Sequence, residues 1–231
     1  MAGRSPFTNL LNPEDVPGSI YTRKVAMHCA WKMHRSKFKP VSIVNVGVGA
    51  AHELAIWRWL YPTIPILAID PRSKNPEHRW SKGNLTFVRA VACEKESTPV
   101  VFCRKCRSLH CKSRIIHRDN GLWEDVKRIA IDDLAADFKP PYFMWFDIEG
   151  GEVDALKGAE QTLKQTGWLC SELFNWTPGH RTSVLKSLHR RGFALATLFS
   201  KDGLFYNKSL LRRKRRGGKV LALANKVDSQ T

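Results

Sequence analysis

The chain has 231 residues, 43% of them hydrophobic and 26% charged; this excludes a disordered polar chain and provides apolar surface for one core of ordinary size. Thirty-eight lysines and arginines stand against 21 aspartates and glutamates, a formal +17, so the molecule attracts polyanions such as nucleic acid, an anionic membrane surface or a phosphorylated substrate. No stretch approaches the roughly 20 apolar residues of a membrane span, the first 18 residues lack the apolar segment of a secretion signal, and six cysteines are too few for a disulfide scaffold, so reduced thiols and a cytoplasmic location are expected.

Residues 1–18 carry three prolines and little periodicity and read as a loose arm. Ser19 can cap a helix through about His34, with Ile20, Val25, Ala26, Cys29 and Met33 towards the core and Arg23, Lys24, Lys32 and Arg35 outside. Val41 to Val46 is a β-branched strand that enters a turn containing Gly47 and Gly49, and an apolar helix follows from His52 to Tyr61. A second strand is expected over Pro65 to Asp70 and a third over Leu85 to Ala92. Residues 93–128 form a basic, irregular insertion. A fourth strand starts at Pro141 and runs through Phe146, an unbroken apolar run that suits a strand covered on both faces. A helix from Glu152 to about Gln165, a strand over Gly167 to Phe174, a helix over Pro178 to Arg191 and a hairpin around Lys201-Asp202-Gly203 complete the pattern. Residues 19–210 thus read as one parallel α/β domain, and 211–231 as a basic tail with a further short strand at Val220 to Ala224. Its run Arg212-Arg213-Lys214-Arg215-Arg216 has the composition of a nuclear address or a contact surface, although a charge run is ordinarily a solvated tail.

In an open α/β sheet, ligands bind beyond the carboxyl ends of the strands, and three such ends carry chemistry here. The first strand ends in Gly47-x-Gly49, where a glycine turn lets a ligand approach the backbone. The second ends in Asp70, 21 residues after Gly49, an acid placed to accept two hydroxyls of a ribose, as in dinucleotides or S-adenosylmethionine. The third glycine of a dinucleotide turn is missing, and so is a phosphate-binding GxxxxGK[ST]. The central strand ends in Asp147 and Glu149 before Gly150-Gly151, and the next one carries Glu172 near its end.

FDIEGGEVDALKGA, IVNVGVGAAHE and AIDP together resemble the FkbM family of S-adenosylmethionine-dependent methyltransferases, over about residues 41–206. The resemblance implies the Rossmann-like class I methyltransferase fold: a mostly parallel seven-stranded sheet with a C-terminal antiparallel hairpin and helices on both faces. It implies that Asn45, Gly47, Gly49, Glu53 and Asp70 line the cofactor, with Asp70 on the ribose, and that Asp147 and Glu149 stand beside the methyl donor and an acceptor hydroxyl. Glu172 matches a glutamate that the family carries at the end of its next strand. Asn45 replaces the family's usual aspartate and Ala51 its usual glycine. The expected acceptor is a hydroxyl on a small molecule or glycan.

A hydroxyl acceptor must lose its proton as the new bond forms. Asp147 is the first candidate for this base, with Glu149 and Glu172 next; the alternative role of Glu149 is to anchor the Gly150-Gly151 turn. A pair of carboxylates can also hold a divalent cation, although no ligand set specifies one. Cys103-x2-Cys106-x4-Cys111 with His117 has the spacing of a structural zinc site; otherwise these are free thiols on a basic loop. The charge also fits RNA as acceptor. Cap-type ribose methyltransferases use a Lys-Asp-Lys-Glu tetrad, to which Lys24 and Asp147 could contribute, but the fifth strand ends in Glu172 where a lysine is needed. A third option is a non-catalytic protein that binds a polyanion, since fold does not imply function.

Overall fold

The computed structural model describes residues 19–48, 52–71, 84–95, 100–103, 123–174 and 178–213. The N-terminal arm, Gly49, Ala51, Cys106, Cys111, His117 and the segment from 214 onward, including the strand expected over Val220 to Ala224, lie outside the described residues.

The first helix, α1 (Ile20–Arg35), starts where Ser19 Oγ accepts the Thr22 N–H at 3.0 Å, a side-chain cap for an otherwise unpaired donor. It buries Val25, Ala26, Cys29, Ala30 and Met33. Ile20 is 66% exposed, contrary to the sequence expectation: as the first helical residue it precedes the turn that packs. Strand β1 (Ser42–Val46), helix α2 (His52–Leu60) and strand β2 (Ile66–Ile69) follow as expected.

The expected third strand divides in two. β3 (Leu85–Val88) pairs with β2, whereas β4 (Val91–Ala92) leaves the main sheet. The section read as irregular contains β5 (Val100–Cys103), β6 (Trp123–Val126) and β7 (Arg128–Ile129). β5 and β6 pair antiparallel, and β7 pairs with β4. After α3 (Ile131–Ala135) comes β8 (Tyr142–Phe146). The helix expected over 152–165 is two helices, α4 (Glu152–Lys157) and α5 (Glu160–Lys164). They part at Gly158, whose α-carbon lies so close to the Cys93 carbonyl that a Cβ would stand 1.7 Å from its oxygen. The start of α5 is capped from outside, by Asp132 Oδ2 on the Gln161 N–H at 2.9 Å and Oδ1 on the Thr162 N–H at 2.8 Å. Then come β9 (Thr166–Glu172), α6 (His180–Arg190), β10 (Phe193–Leu198), β11 (Asp202–Asn207) and α7 (Lys208–Arg213), the last entering the stretch read as tail.

Seven strands form one sheet in the order β3-β2-β1-β8-β9-β11-β10. β1, β2, β3, β8 and β9 are parallel, and β11 runs antiparallel to both of its neighbours. This is the Rossmann-like class I methyltransferase architecture. β8 is the middle strand, and its residues alternate between two cores. Tyr142, Met144 and Phe146 pack with Ile131, Leu156, Leu163, Val184 and Leu188 on one face; Phe143 and Trp145 pack with Val25, Met33, Leu54 and Trp57 on the other. Burial on both faces is why its sequence shows no polar alternation.

Candidate active site

The register of the parallel strands aligns their carboxyl ends. Val46 pairs with Ile69 on one side and Phe146 on the other, and Phe146 pairs with Ser171. One residue further along each strand stand Asp70, Gly47, Asp147 and Glu172. On the antiparallel β11, Asp202 pairs with Glu172. Four carboxylates and a glycine therefore follow one another across the rim of the sheet, over about 19 Å at the usual interstrand spacing.

Backbone contacts fix the glycine end of this row. The Gly47 N–H donates to the Ile69 carbonyl at 2.8 Å, and the Asp147 N–H donates to the Val46 carbonyl at 2.9 Å. Gly47 has φ +83°, and a Cβ there would lie 1.8 Å from the Asp147 carbonyl oxygen. Only glycine meets both demands. Asp70, 3% exposed, accepts the Val48 N–H on Oδ2 at 2.8 Å, so its carboxylate ties the second strand to the turn after the first. A carboxylate has about four lone-pair sites, which leaves it capacity for further donors. Asn45 is fully buried; its Nδ2 donates to the Gly47 carbonyl at 3.2 Å. Its Oδ1 has no partner among the described residues. A buried, unpaired acceptor beneath a glycine turn matches a ligand that brings a donor, such as the ammonium group of S-adenosylmethionine. The residues present fit that cofactor.

The other end of the row is charged. Asp147, partly exposed, is pushed up to about 8 by burial and then by the carboxylates Glu172, Glu53 and Asp202, with Lys201 opposing. Glu53 reaches this group from the first turn of α2. Glu172 is buried and pairs with Lys201 Nζ at 3.0 Å. Asp202, also buried, accepts the Tyr21 hydroxyl at 2.7 Å; burial raises its pKa.

Glu149 lies just past the row in a turn, half-buried, with φ +52°, a conformation that costs a non-glycine residue about 1 kcal/mol or more. Glu152, fully buried, anchors the same turn: its Oε1 accepts the Ile148 and Gly150 N–H groups at 3.3 and 3.4 Å. Glu152 Oε2 lies 2.8 Å from His180 Nε2, and this contact raises the imidazole pKa.

Asn45, Gly47, Glu53, Asp70, Asp147 and Glu172 are thus gathered at one edge, with Glu149 beside them. Lys24 is exposed on α1 and does not form part of the row. Sequence reasoning missed Lys201, Asp202 and Tyr21. A hairpin returning antiparallel beside β9 begins at the carboxyl edge of the sheet, which was a usable signal for the first two; Tyr21 offered none. Among the described residues no group of three or more histidines, cysteines or acids is arranged to hold a metal ion. Of the cysteine set, Cys103 is on β5 by its backbone and the rest lies outside the described residues. Among the described residues no helix is long and apolar enough to cross a membrane.

Among solved structures the chain is similar to the N-methyltransferase NodS of Bradyrhizobium japonicum WM9 in complex with S-adenosyl-l-homocysteine: 9% identity, 90% of this chain and 94% of that one covered, TM-score 0.47. It is also similar to a precorrin-6y C5,15-methyltransferase of Geobacter metallireducens GS-15, at 12% identity over 84% of this chain and 94% of that one, TM-score 0.45. A third is the magnesium protoporphyrin IX methyltransferase ChlM of Synechocystis PCC 6803 with bound SAM, at 12% identity over 80% and 77%, TM-score 0.41. No curated protein matches the chain. The model of the methyltransferase FkbM domain matches residues 51–193, more than half of the length. The chain belongs to the FkbM family of S-adenosylmethionine-dependent methyltransferases.

Proposed function

We propose that the protein transfers a methyl group from S-adenosylmethionine to a hydroxyl on a small molecule or glycan, with Asp147 as the base. The observation that supports this reading is the row Asp70, Gly47, Asp147, Glu172 at the carboxyl ends of four neighbouring parallel strands. Asn45, Gly47, Gly49, Glu53 and Asp70 hold the cofactor, Asp70 through the ribose hydroxyls; the sulfonium supplies an activated methyl group when bound. Asp147 would take the acceptor's proton as the acceptor oxygen is methylated; the bound sulfonium would supply the methyl group and keep the electrons of the bond it gives up. The proton then leaves Asp147 for solvent. Alignment of the acceptor oxygen with the methyl group supplies most of the acceleration, and proton removal a further factor of about 10² to 10⁴. Glu172 and Glu149 flank the acceptor side and orient it.

The test is calorimetry with S-adenosylmethionine on the unaltered protein and on Asp70→Ala, followed by cell extract incubated with methyl-labelled donor and analysed by mass spectrometry. Heat of binding that Asp70→Ala diminishes, and label found as an O-methyl ether or ester, support the reading. No heat from the unaltered protein would leave the polyanion-binding alternative in its place.

Transfer to an RNA ribose hydroxyl is a second reading, favoured by the +17 charge and by Lys201, a lysine beside Glu172 that the end of β9 itself lacks. RNA affinity would then fall steeply with log salt, by a slope near −0.7 per phosphate contacted. A flat dependence discards it.

A further inference from the structure

The turn between β10 and β11 brings to the row a lysine that the reaction above leaves unused. Lys201 immediately precedes Asp202, and its Nζ lies 3.0 Å from Glu172 Oε1. Its ammonium also stands 5.8 Å from the centre of the Tyr21 ring, within cation–π reach. The backbone is held as well. The Lys201 N–H donates to the Tyr21 hydroxyl at 3.2 Å, that hydroxyl donates to Asp202 Oδ2 at 2.7 Å, and the Lys201 carbonyl accepts the Leu173 N–H. A tyrosine of the first helix thus pins a hairpin turn 180 residues later in the chain. A lysine side chain ordinarily keeps its rotamer freedom at a surface, since ordering it costs up to about 2 kcal/mol. Here the side chain and the backbone are both tied.

We propose that Lys201 is a positioning residue for the transfer: it clamps Glu172 and supplies, beside Asp147, the positive charge that lets this carboxylate act as a base. The inference rests on the assignment of Asp147 above. Asp147 faces Glu53 from α2, Glu172 and the buried Cys170 thiol from β9, and Asp202 and Lys201 from the β10–β11 hairpin; among these groups only Lys201 is positive. A base must be ionised to receive a proton. With Lys201 opposing them, burial and the surrounding carboxylates hold Asp147 at about 8, so that it ionises as pH rises through that value; loss of the ammonium would move its ionisation to higher pH still. The lysine itself stays charged throughout that range. Burial works against its ammonium, but the hydrogen bond to Glu172 and the charges of Asp147, Glu172 and Asp202 outweigh it and keep the pKa above the ordinary lysine value. Tyr21 fixes the turn from which the side chain projects, so its hydroxyl serves the same end at one remove.

The test needs no acceptor. The carboxyl carbons of the full-length protein are labelled with ¹³C and titrated by NMR, with the Asp147 signal assigned from its loss in Asp147→Asn. Lys201→Met should raise the Asp147 midpoint by at least one pH unit, a tenfold gain in proton affinity. Lys201→Arg, which keeps the charge, should leave the midpoint near that of the unaltered protein, and Tyr21→Phe should give a smaller rise of the same sign as Lys201→Met. Lys201→Gln repeats the measurement if the methionine variant does not fold. A midpoint unmoved in the charge-removing variants, or moved equally by Lys201→Arg, overturns the proposal. Calorimetry with S-adenosylmethionine on the same samples separates the two questions. If the unaltered protein does not bind it, the functional reading falls, while the titration still decides what Lys201 does to Asp147.

Discussion

The two ends of the rim are made in different ways. At the β2 and β1 end, Gly47 is held by a backbone hydrogen bond to Ile69, and the Asp70 and Asn45 side chains bond to the backbone of the adjacent turn. At the β8, β9 and β11 end, side chains from distant parts of the chain meet. Tyr21 reaches Asp202, Lys201 reaches Glu172, and Glu53 faces Asp147. The first end presents neutral donors, acceptors and one carboxylate bonded to the backbone; the second concentrates negative charge and offsets it with a lysine. A backbone cradle suits recognition of an invariant ligand, whereas a tunable cluster suits proton transfer, whose efficiency depends on matching pKa to working pH. Substitutions at the two ends should therefore fail in different ways.

The largest expected effect is at the charged end. Asp147→Asn should lower turnover about a thousandfold while S-adenosylmethionine affinity, read by calorimetry, stays within about threefold. Simultaneous loss of both would erase the division between the ends. Turnover of the unaltered protein should rise with pH through about 8, as Asp147 ionises. Next is Gly47→Ala at the backbone end: its methyl group would lie 1.8 Å from the Asp147 carbonyl oxygen at a positive φ, and the protein should lose about 3 kcal/mol or more in denaturant unfolding. A variant of unchanged stability would mean that the cradle is less rigid than described.

Asp70→Ala should weaken S-adenosylmethionine roughly 10- to 100-fold, the worth of a charge-assisted hydrogen bond or two, and should also lower stability because the Val48 N–H loses its acceptor. Asp147→Asn carries a second, opposite signature. The folded protein binds a proton at Asp147 up to about pH 8, whereas the unfolded chain releases it near 3.8. Stability from this group therefore declines as pH rises between those values. Removing the charge should then stabilise the protein at pH 8.5 by roughly 2 kcal/mol, less than the full linkage value because solvent reaches the partly exposed carboxyl. Equal stability of the two proteins at pH 8.5 would argue that Asp147 ionises there without penalty.

The same division decides what could be read from the chain. The backbone end was legible, because β-branched runs, a glycine and a terminal acid are local signals and the parallel order brings them together. The fate of Phe143 and Trp145 on one face and Met144 and Phe146 on the other was implicit in an apolar run without alternation. Two breaks were not legible. Leu85 to Ala92 looks continuous, yet β4 leaves for β7, and the 152–165 helix divides where Gly158 meets Cys93 and Asp132 caps the start of α5. Both depend on contacts with residues far away in sequence. Tyr21 had no local mark at all, since its hydroxyl acts on a turn that only the folded sheet brings near.

The smallest expected effect concerns the loop that carries the chain away from Asp147. Glu152 holds that loop through the Ile148 and Gly150 N–H groups and touches His180, the first residue of α6, with its other oxygen. The Glu152 contact holds the imidazole pKa above the ordinary histidine value. Such a group contributes stability that is fully present below its unfolded value of about 6.5 and is lost as pH rises through the folded one. His180→Asn should therefore cost about 1 kcal/mol at pH 6 and less at pH 9, modest because Glu152 keeps two backbone donors after the imidazole is gone. Asp147 titrates in the same window, but it does so in both proteins and cancels from their difference. Unfolding in denaturant at the two pH values reads that difference directly. A cost independent of pH would make His180 a neutral spacer, and the loop beside Asp147 would then be held by the Glu152 carboxylate on its backbone N–H groups without help from the imidazole, much as the Asp70 carboxylate holds the Val48 N–H at the opposite end of the rim.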